Sequence, residues 1–460
     1  MRIVYSLLLI SLLVIYGRVL TKVLRGSTGL TPLLGWMVGL AYFLLAPLVI
    51  LTLNGGFEMP AAYEVDNRWA KVDLTNATFL LPYLVIWASL IASCLTIDSF
   101  LQSSRQVGDG SYSLSRSSLQ RTLLICMAIA VAIWALQIRL VGGVTEFLVS
   151  NWYQRGEDLF SRYGESYVLV AHLSLANQIL FTGTAALYTG RGLKNRDTRW
   201  RFIALIIFFF LLGVVMTGNR IFVATYLLAC LTSFWLLGRR KLIFMLLAIS
   251  PVLVLVFSMW SSVRHNLSEI PDSVSTYADS DYGNRTVTSL INVTEGNSTM
   301  ILLHLINDFG SRYDFLYGLT YSRTLTSLIP RRIYPHKTEN FTTLLAKIYQ
   351  PDATTSYAAT AIGEMYANFG PLTLVLCPVF TLGILSLNKW ALKQEQSHPL
   401  LLPMLFVLLV WVARGTLADN VVQFVLALIL VSVFRLEKGL ARVPDAGKGA
   451  VLMPSYSPGA

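Results

Sequence analysis

The chain has 460 residues, of which 55% are hydrophobic and only 13% are charged, and its formal net charge at pH 7 is +11. A mean hydropathy of +0.60 excludes an ordinary soluble globular protein, in which about 25% of residues are charged. Apolar runs of nearly twenty residues recur along the chain, so we expect a polytopic membrane protein. The positive charge then reflects topology and contact with anionic lipid, and a nucleic-acid partner is not expected.

Eleven apolar segments predict an all-α protein with about eleven transmembrane helices. They lie at about 3–17, 30–52, 77–97, 122–142, 167–189, 202–217, 221–237, 242–260, 369–388, 400–413 and 421–434. The first segment has the apolar run of a secretory signal peptide, but no small-residue cleavage site follows it, so we interpret it as the first span. The chain is predicted to begin with a membrane domain of about eight spans (1–260). An external loop subdomain between helices 8 and 9 follows (261–368), then a further membrane domain of about three spans (369–436) and a cytoplasmic tail (437–460).

The orientation of the spans is predicted from the positions of Lys and Arg. Placing the C-terminus in the cytoplasm gives the cytoplasmic loops a charge of +14 and the outer loops −3, which sum to the net +11. Cytoplasmic loops carry the excess of basic residues in membrane proteins. We therefore expect an external N-terminus and a cytoplasmic C-terminus.

The sequence holds few signs of a metal or cofactor site. All four cysteines, Cys94, Cys126, Cys230 and Cys377, fall inside apolar spans, so neither a disulfide nor a Cys-ligated metal is expected. No Walker, Rossmann, HExxH or GxSxG signature is present. Asp279 and Asp281, and likewise Glu64 and Asp66, have the spacing by which some glycosyltransferases hold a divalent metal. The second pair lies in an outer loop and keeps a metal-dependent transferase open as an alternative.

Two short turns on the predicted outer face carry arginine. The segments 202–217 and 221–237 meet at Thr-Gly-Asn-Arg, ending at Arg220, and the last two spans meet at a turn that holds Arg414. Helices of about 14 residues reach only about 21 Å, less than the hydrocarbon core of about 30 Å. Both guanidinium groups are therefore candidates for a site below the membrane surface. Asp419 either pairs with Arg414 or shares its cavity.

The second half of the long loop is rich in basic residues and predicts an anion site. Arg331, Arg332 and Lys337 lie beside two prolines, and Arg264 and His265 follow the eighth span at the expected depth of lipid phosphates. Clustered guanidinium and ammonium groups bind phosphate. Residues 299–307 and 341–349 have near-helical apolar spacing. We expect them to be amphipathic helices that lie on the bilayer, cap a cavity or pack within the loop.

Two elements resemble those of the bacterial oligosaccharide repeat-unit polymerases, the Wzy-type polymerases of O-antigen and exopolysaccharide. Residues 328–337, Leu-Ile-Pro-Arg-Arg-Ile-Tyr-Pro-His-Lys, are similar to the family's I-P-R-x-x-W/Y-P-x-K element. Residues 363–370, Gly-Glu-Met-Tyr-Ala-Asn-Phe-Gly, are similar to its G-E-x-Y-x-N-F-G entry into a late span. The chain departs from the pattern at His336, where an acidic residue is usual, and at Thr338, where Pro often follows the Lys.

The resemblance implies a location in a bacterial inner membrane, with the predicted external N-terminus in the periplasm. It also implies metal-independent glycosyl transfer, without a cofactor, at the periplasmic face. A growing glycan on undecaprenyl pyrophosphate would be moved en bloc onto a fresh lipid-linked repeat unit, in contact with membrane lipid and under the control of a chain-length regulator protein. It implies catalytic roles for Glu364, Arg331 and Arg220, with Glu364 as the base or the group that orients the acceptor. The expected pyrophosphate ligands are Arg220, Arg264, Arg331, Arg332, Lys337 and Arg414, and the reserve acid–base groups are Asp419 and His265.

Other functions remain open at this point. An O-antigen ligase has a similar plan and chemistry but transfers the glycan to the lipid A core. A flippase or transporter of lipid-linked oligosaccharide is the non-enzymatic alternative, although it would be expected to show short loops and matching broken helices in two halves. For Glu364 the competing interpretation is a carboxylate that only stabilises the start of a helix.

Overall fold

The computed structural model of the chain describes most of the helical bundle. The described residues are 1–27, 29–58, 71–103, 112–113, 116–153, 157–192, 199–217, 221–246, 248, 296–326, 329, 333–349, 357–395, 397–415, 417–437 and 443–444.

The first half of the molecule consists of long apolar helices. Thr31 caps the second of them, because its hydroxyl accepts a hydrogen bond from Leu34 N–H, with Pro32 at the first helical position. One π-helical stretch, Ala41–Leu45, interrupts that helix. The helices are α1 Arg2–Gly26, α2 Pro32–Leu40, α3 Ala46–Asn54, α4 Leu80–Ser103, α5 Arg116–Val141, α6 Val144–Tyr153, α7 Glu157–Gly192, α8 Arg199–Thr217 and α9 Ile221–Leu236.

From residue 296 onward, the described chain has four short helices and then three longer ones. The short helices are α10 Asn297–Asp308, α11 Leu319–Thr326, α12 Phe341–Tyr349 and α13 Thr360–Phe369. A 3-10 turn, Gly370–Leu372, separates α13 from the longer helices, which are α14 Thr373–Gln394, α15 Leu401–Arg414 and α16 Leu417–Val433. Two small antiparallel sheets were not predicted: β1 Gly56–Glu58 pairs with β2 Lys71–Asp73, and β3 Tyr112–Ser113 pairs with β4 Val443–Pro444.

Helix length and composition identify a polytopic membrane protein. Seven helical stretches of the described chain are long and apolar enough to cross a membrane, and three shorter apolar helices accompany them. Ten of the eleven predicted segments coincide with helices. The remaining segment, 242–260, and the first part of the long loop lie largely outside the described residues. The number of eleven spans, the division into domains and the orientation of the termini stay predictions.

Contacts between the helix ends define two ends of the bundle. At one end, which we call the loop end, His304 and Asn307 of α10 bond to the carbonyls of Lys71 and Thr78. At the other, which we call the tail end, Thr122 donates a hydrogen bond to the carbonyl of Leu436. Helices α10 to α13 therefore gather at the loop end, whereas the start of α15 and the end of α16 lie at the tail end, where His398 contacts Glu437.

Helix α15 is the centre of the bundle. All its residues from Leu401 to Ala413 are buried, and it packs against α2, α7 and α9. Glycines make the close packing possible: a Cβ built on Gly39 would lie 2.9 Å from Val410 Cα, and one built on Gly183 would lie 3.0 Å from the Pro403 carbonyl oxygen. Gly35 and Gly39 have the G-x-x-x-G spacing of tightly packed membrane helices. Helix α15 is apolar on every side and is enclosed by protein, as expected for a helix without a polar face.

The helices predicted in the long loop form, but α10 does not lie on the surface. Eight of its residues are buried, and the Thr299 hydroxyl donates to the Phe43 carbonyl at 3.0 Å. Helix α12 buries only Phe341, Leu345 and Ala346. Helix α10 is therefore packed inside the loop end of the bundle, whereas α12 is buried on one side only, as expected of an amphipathic helix.

Candidate functional site

A buried polar cluster lies at the loop end where α11, α13 and α16 meet. Glu364 of α13 is only 1% exposed. Its Oε1 accepts a hydrogen bond from the Thr320 hydroxyl and its Oε2 accepts one from the Leu417 backbone N–H, both at 3.0 Å. Leu417 is the first residue of α16, where the backbone N–H has no acceptor within the helix. The Glu364 carboxylate therefore stabilises the N-terminus of a helix other than its own.

A short hydrogen-bond relay orients the Glu364 side chain. The Asn368 Nδ2 donates to the Thr320 hydroxyl oxygen at 2.7 Å and to the Glu364 backbone carbonyl at 2.7 Å. Because the Thr320 oxygen accepts from the amide, its own hydrogen is directed toward the carboxylate. All three side chains are buried. A fully connected network of this kind holds α11 and α13 in one arrangement.

The Glu364 carboxylate also acts on its aromatic neighbour. The Tyr321 ring stacks on Phe369, with 5.8 Å between ring centres and 9° between planes. Burial raises the pKa of the Tyr321 hydroxyl well above its usual value, and the negative charge of Glu364 raises it further. Tyr321 therefore stays protonated, and its hydroxyl remains a hydrogen-bond donor at the edge of the cluster.

An ion pair joins the long loop to the start of α16. Arg323 Nε lies 3.1 Å from Asp419 Oδ1, and the Arg323 Nη1 donates to the Thr338 carbonyl at 2.8 Å. The side chain of Asn340 donates to the other carboxylate oxygen of Asp419. The two charged side chains are 14% and 8% exposed. Thr320 and Arg323 are one turn apart on α11, and Leu417 and Asp419 lie in the first turn of α16. Helices α11 and α16 therefore supply the partners of Glu364 and also the two members of the ion pair.

One imidazole of α7 lies within electrostatic reach of the same charges. Electrostatic interactions connect His172 to Asp419, Arg323 and Lys337. Its Nδ1 is buried, and within the part of the chain that the structure describes this nitrogen has no hydrogen-bond partner. A buried imidazole that interacts electrostatically with a carboxylate can hold or accept a proton.

Backbone strain marks the edge of the cluster. Thr360, the first residue of α13, has φ of 61°, a conformation that a β-branched residue rarely adopts. Its buried hydroxyl has no hydrogen-bond partner among the described residues. The turn after α15 packs against it: Gly415 has φ of 126°, and a Cβ built there would lie 3.5 Å from the Thr360 backbone. Strain of this kind is concentrated at functional sites.

The element at 363–370 has a structural role at several of its positions. A Cβ on Gly363 would lie 3.1 Å from the Leu302 side chain, so the glycine lets α10 approach α13 closely. Gly370, with φ of 57°, ends α13 and lies against the Phe315 ring. Glu364 and Asn368 are the cluster residues. The element therefore builds the loop end as well as the candidate site.

The structure places four of the nine predicted site residues. Glu364 and Asp419 enter the cluster, and half-buried Lys337 donates to the Ile329 carbonyl at 3.2 Å and interacts with His172. Arg414, half-buried, ends α15 next to the strained Gly415 turn. The predicted residues that lie outside the described part of the chain are Arg220, Arg264, His265, Arg331 and Arg332, as are both acidic pairs, Glu64 with Asp66 and Asp279 with Asp281.

Sequence reasoning assigned no site role to Arg323, His172, Thr320 or Asn368, and it left Asp419 either paired with Arg414 or sharing its cavity. In the structure, Asp419 forms its ion pair with Arg323 of the long loop. Arg323 could have been found from its position in the basic half of the loop. His172 could have been found as an ionisable side chain inside an apolar span, which indicates a functional role.

Comparison with known proteins found no matching family model, no matching curated protein and no matching solved structure. The geometry of the loop end is therefore the observation from which a function is inferred.

Proposed function

We propose that the chain is a membrane glycosyltransferase that polymerises oligosaccharide repeat units carried on undecaprenyl pyrophosphate. The observation that carries the proposal is the cluster of Glu364, Arg323, Asp419 and His172 at one end of a bundle of apolar helices. Ionisable side chains are costly within a membrane protein and mark sites of binding or chemistry. The resemblance of residues 328–337 and 363–370 to the polymerase elements supports the choice of reaction.

The charges around the cluster suit the departure of a pyrophosphate. When the bond between the sugar and the phosphate breaks, positive charge develops on the sugar and negative charge on the leaving group. Lys337 and the preceding arginines, Arg331 and Arg332, would stabilise that negative charge, with Arg220, Arg264 and Arg414 as further ligands. Fixed cations in a site shielded from water lower the barrier of such a step.

The proton of the acceptor hydroxyl needs a base within reach. His172 is favoured, because its Nδ1 is buried without a described hydrogen-bond partner and its ring interacts electrostatically with Asp419. Both oxygens of Glu364 accept hydrogen bonds from the protein. We therefore assign Glu364 to positioning α11 and α16, and Asp419 to orienting the imidazole through its charge.

The surface glycan of a strain that lacks the chain tests the proposal. The strain would be complemented with wild type, His172→Phe or Asp419→Asn, each checked for abundance in the membrane, and with Arg18→Gln on the exposed side of α1 as the control. We expect polymer from wild type and from the control, and a product capped by a single repeat unit from the two cluster variants.

Other patterns of product would contradict the polymerase. Polymer that accumulates on its lipid carrier in the deletion strain would indicate the ligase, which is the second candidate. Single repeat units that fail to reach the outer face would indicate the transporter. A variant glycan identical to wild type would remove His172 from the mechanism.

A further inference from the structure

A cavity lies at the tail end, away from the Glu364 cluster. It has a volume of about 580 Å³ and is formed by the ends of α14, α15 and α16 with the turn that follows α16. This volume is within the range of small-molecule sites, about 300–1,000 Å³. Its lining includes Trp390, Leu401, Met404, Leu428 and Val431. Its inner wall is therefore apolar, and the residues next to the lining on α16, Ile429 and Val433, are exposed and apolar too.

The mouth of the cavity carries one cation and one anion. Arg435 and Glu437 both line it, together with His398 and Gln394. Glu437 is fixed: His398 Nδ1 lies 2.9 Å from Glu437 Oε2, and the Leu400 N–H donates to the other oxygen at 3.4 Å. Arg435 is exposed, and no hydrogen bond or ion pair within the described part of the chain engages its guanidinium. The mouth thus presents a cation without a described partner beside an oriented carboxylate.

The backbone holds Arg435 in place at a conformational cost. The Leu436 N–H donates to the Val431 carbonyl at 3.0 Å and the Arg435 N–H donates to the Ser432 carbonyl at 3.1 Å, the two bonds of a Schellman motif at the end of α16. Arg435 has φ of 48°, at the position where glycine is usual. A residue with a strained backbone and no described side-chain partner is a candidate for ligand binding.

We propose that this cavity binds one phosphatidylethanolamine molecule. An acyl chain would fill the apolar wall, Arg435 would pair with the lipid phosphate and Glu437 with the ammonium group. A zwitterionic headgroup satisfies both charges of the mouth, whereas a purely anionic headgroup would leave Glu437 facing a phosphate. Trp390, 48% exposed at the rim, is the residue type that lies at the headgroup level of membranes.

The test is native mass spectrometry of the purified full-length chain with added phosphatidylethanolamine or phosphatidylglycerol. Wild type should retain one phosphatidylethanolamine and bind it more tightly than phosphatidylglycerol. Arg435→Gly removes the cation while suiting the turn, so it should fold at least as well and bind phosphatidylethanolamine about tenfold more weakly. Glu437→Gln keeps an acceptor for the Leu400 N–H and should abolish the preference between the two lipids.

Arg18→Ala, on the exposed side of α1, is the matched control and should bind phosphatidylethanolamine as wild type does. The proposal would be overturned if wild type binds both lipids equally, or if Arg435→Gly retains phosphatidylethanolamine as tightly as wild type. The binding readout is independent of glycan synthesis, so its failure would leave the polymerase proposal untouched.

Discussion

Arg323 Nε and Asp419 Oδ1 lie 3.1 Å apart although 96 residues separate them in the sequence. This contact ties the long loop to the last helix of the bundle. Both side chains are largely buried, so each charge depends on the other for its stability in the folded protein.

Removing one member of this pair is expected to destabilise the protein. Arg323→Met leaves the Asp419 carboxylate buried without its cation, which should reduce the free energy of unfolding by about 3 kcal/mol. The double variant Arg323→Met, Asp419→Leu should recover much of that loss, because it leaves no unpaired charge. Thermal unfolding of the detergent-solubilised variants measures both effects. Equal stability of the single variant and wild type would show that the pair contributes nothing.

The glycines of α2 are expected to be essential for packing around α15. Gly39→Leu places a side chain where a Cβ already lies 2.9 Å from the Val410 Cα. Overpacking of this kind costs about 1–3 kcal/mol, and the yield of folded protein should fall. Gly17→Ala on α1, where no atom lies within 4 Å of an added Cβ, is the control. The test is the unfolding temperature of each variant, and loss of stability by both would argue against specific packing of α2.

The Gly415 turn is expected to tolerate only glycine. With φ of 126° and ψ of 176°, a side chain at this position is strained, so Gly415→Ala should destabilise the protein by about 1–3 kcal/mol. Gly383→Ala lies in the interior of α14 with open space around it and should stabilise by about 0.5–1 kcal/mol. Opposite shifts of the melting temperature for the two variants are the predicted result, and shifts of the same sign would contradict it.

His304 is expected to make the loop end sensitive to acid. Burial lowers the pKa of His304, and its Nε2 lies 2.9 Å from the Lys71 carbonyl, to which the neutral ring can donate. Since the unfolded chain binds a proton more readily, stability is greatest above the ordinary pKa of about 6.5 and is lost as the pH falls through that value toward the lowered folded pKa.

The variant His304→Gln isolates this effect, because its amide can donate to the same carbonyl and does not titrate. We expect the melting temperature of wild type to fall by more between pH 8 and pH 5 than that of His304→Gln. The measurement is circular dichroism melting of both proteins at each pH. Parallel curves for the two would show that His304 is not responsible.

Sequence patterns predicted the helices well, because the length of an apolar segment can be read from the local sequence. The segment 400–413, for example, is apolar on every side and matches α15 closely. Its central position, however, depends on Gly35 and Gly39 from a distant helix, and composition alone does not say which helices will enclose it. The same applies to α10, whose apolar spacing indicated a helix but not its burial against Phe43.

The candidate site was predicted less completely, because its contacts join residues that are far apart in the sequence. Glu364 stood out as a carboxylate at the entry to a late span, but its bond to Leu417 depends on where α16 begins. His172 belongs to no local motif, and only the packing of α7 against α16 brings it to Asp419. Pairings of this kind follow from tertiary structure, which a single sequence does not display.

The enclosure of α15 separates it from the lipid. A helix of 14 residues that faced acyl chains would be too short for the bilayer, and it would tilt or thin the membrane around it. Because protein surrounds α15 on all sides, the depth of Arg414 is set by neighbouring helices instead of by bilayer thickness. The chain should therefore keep the same loop-end geometry in membranes of different hydrophobic thickness.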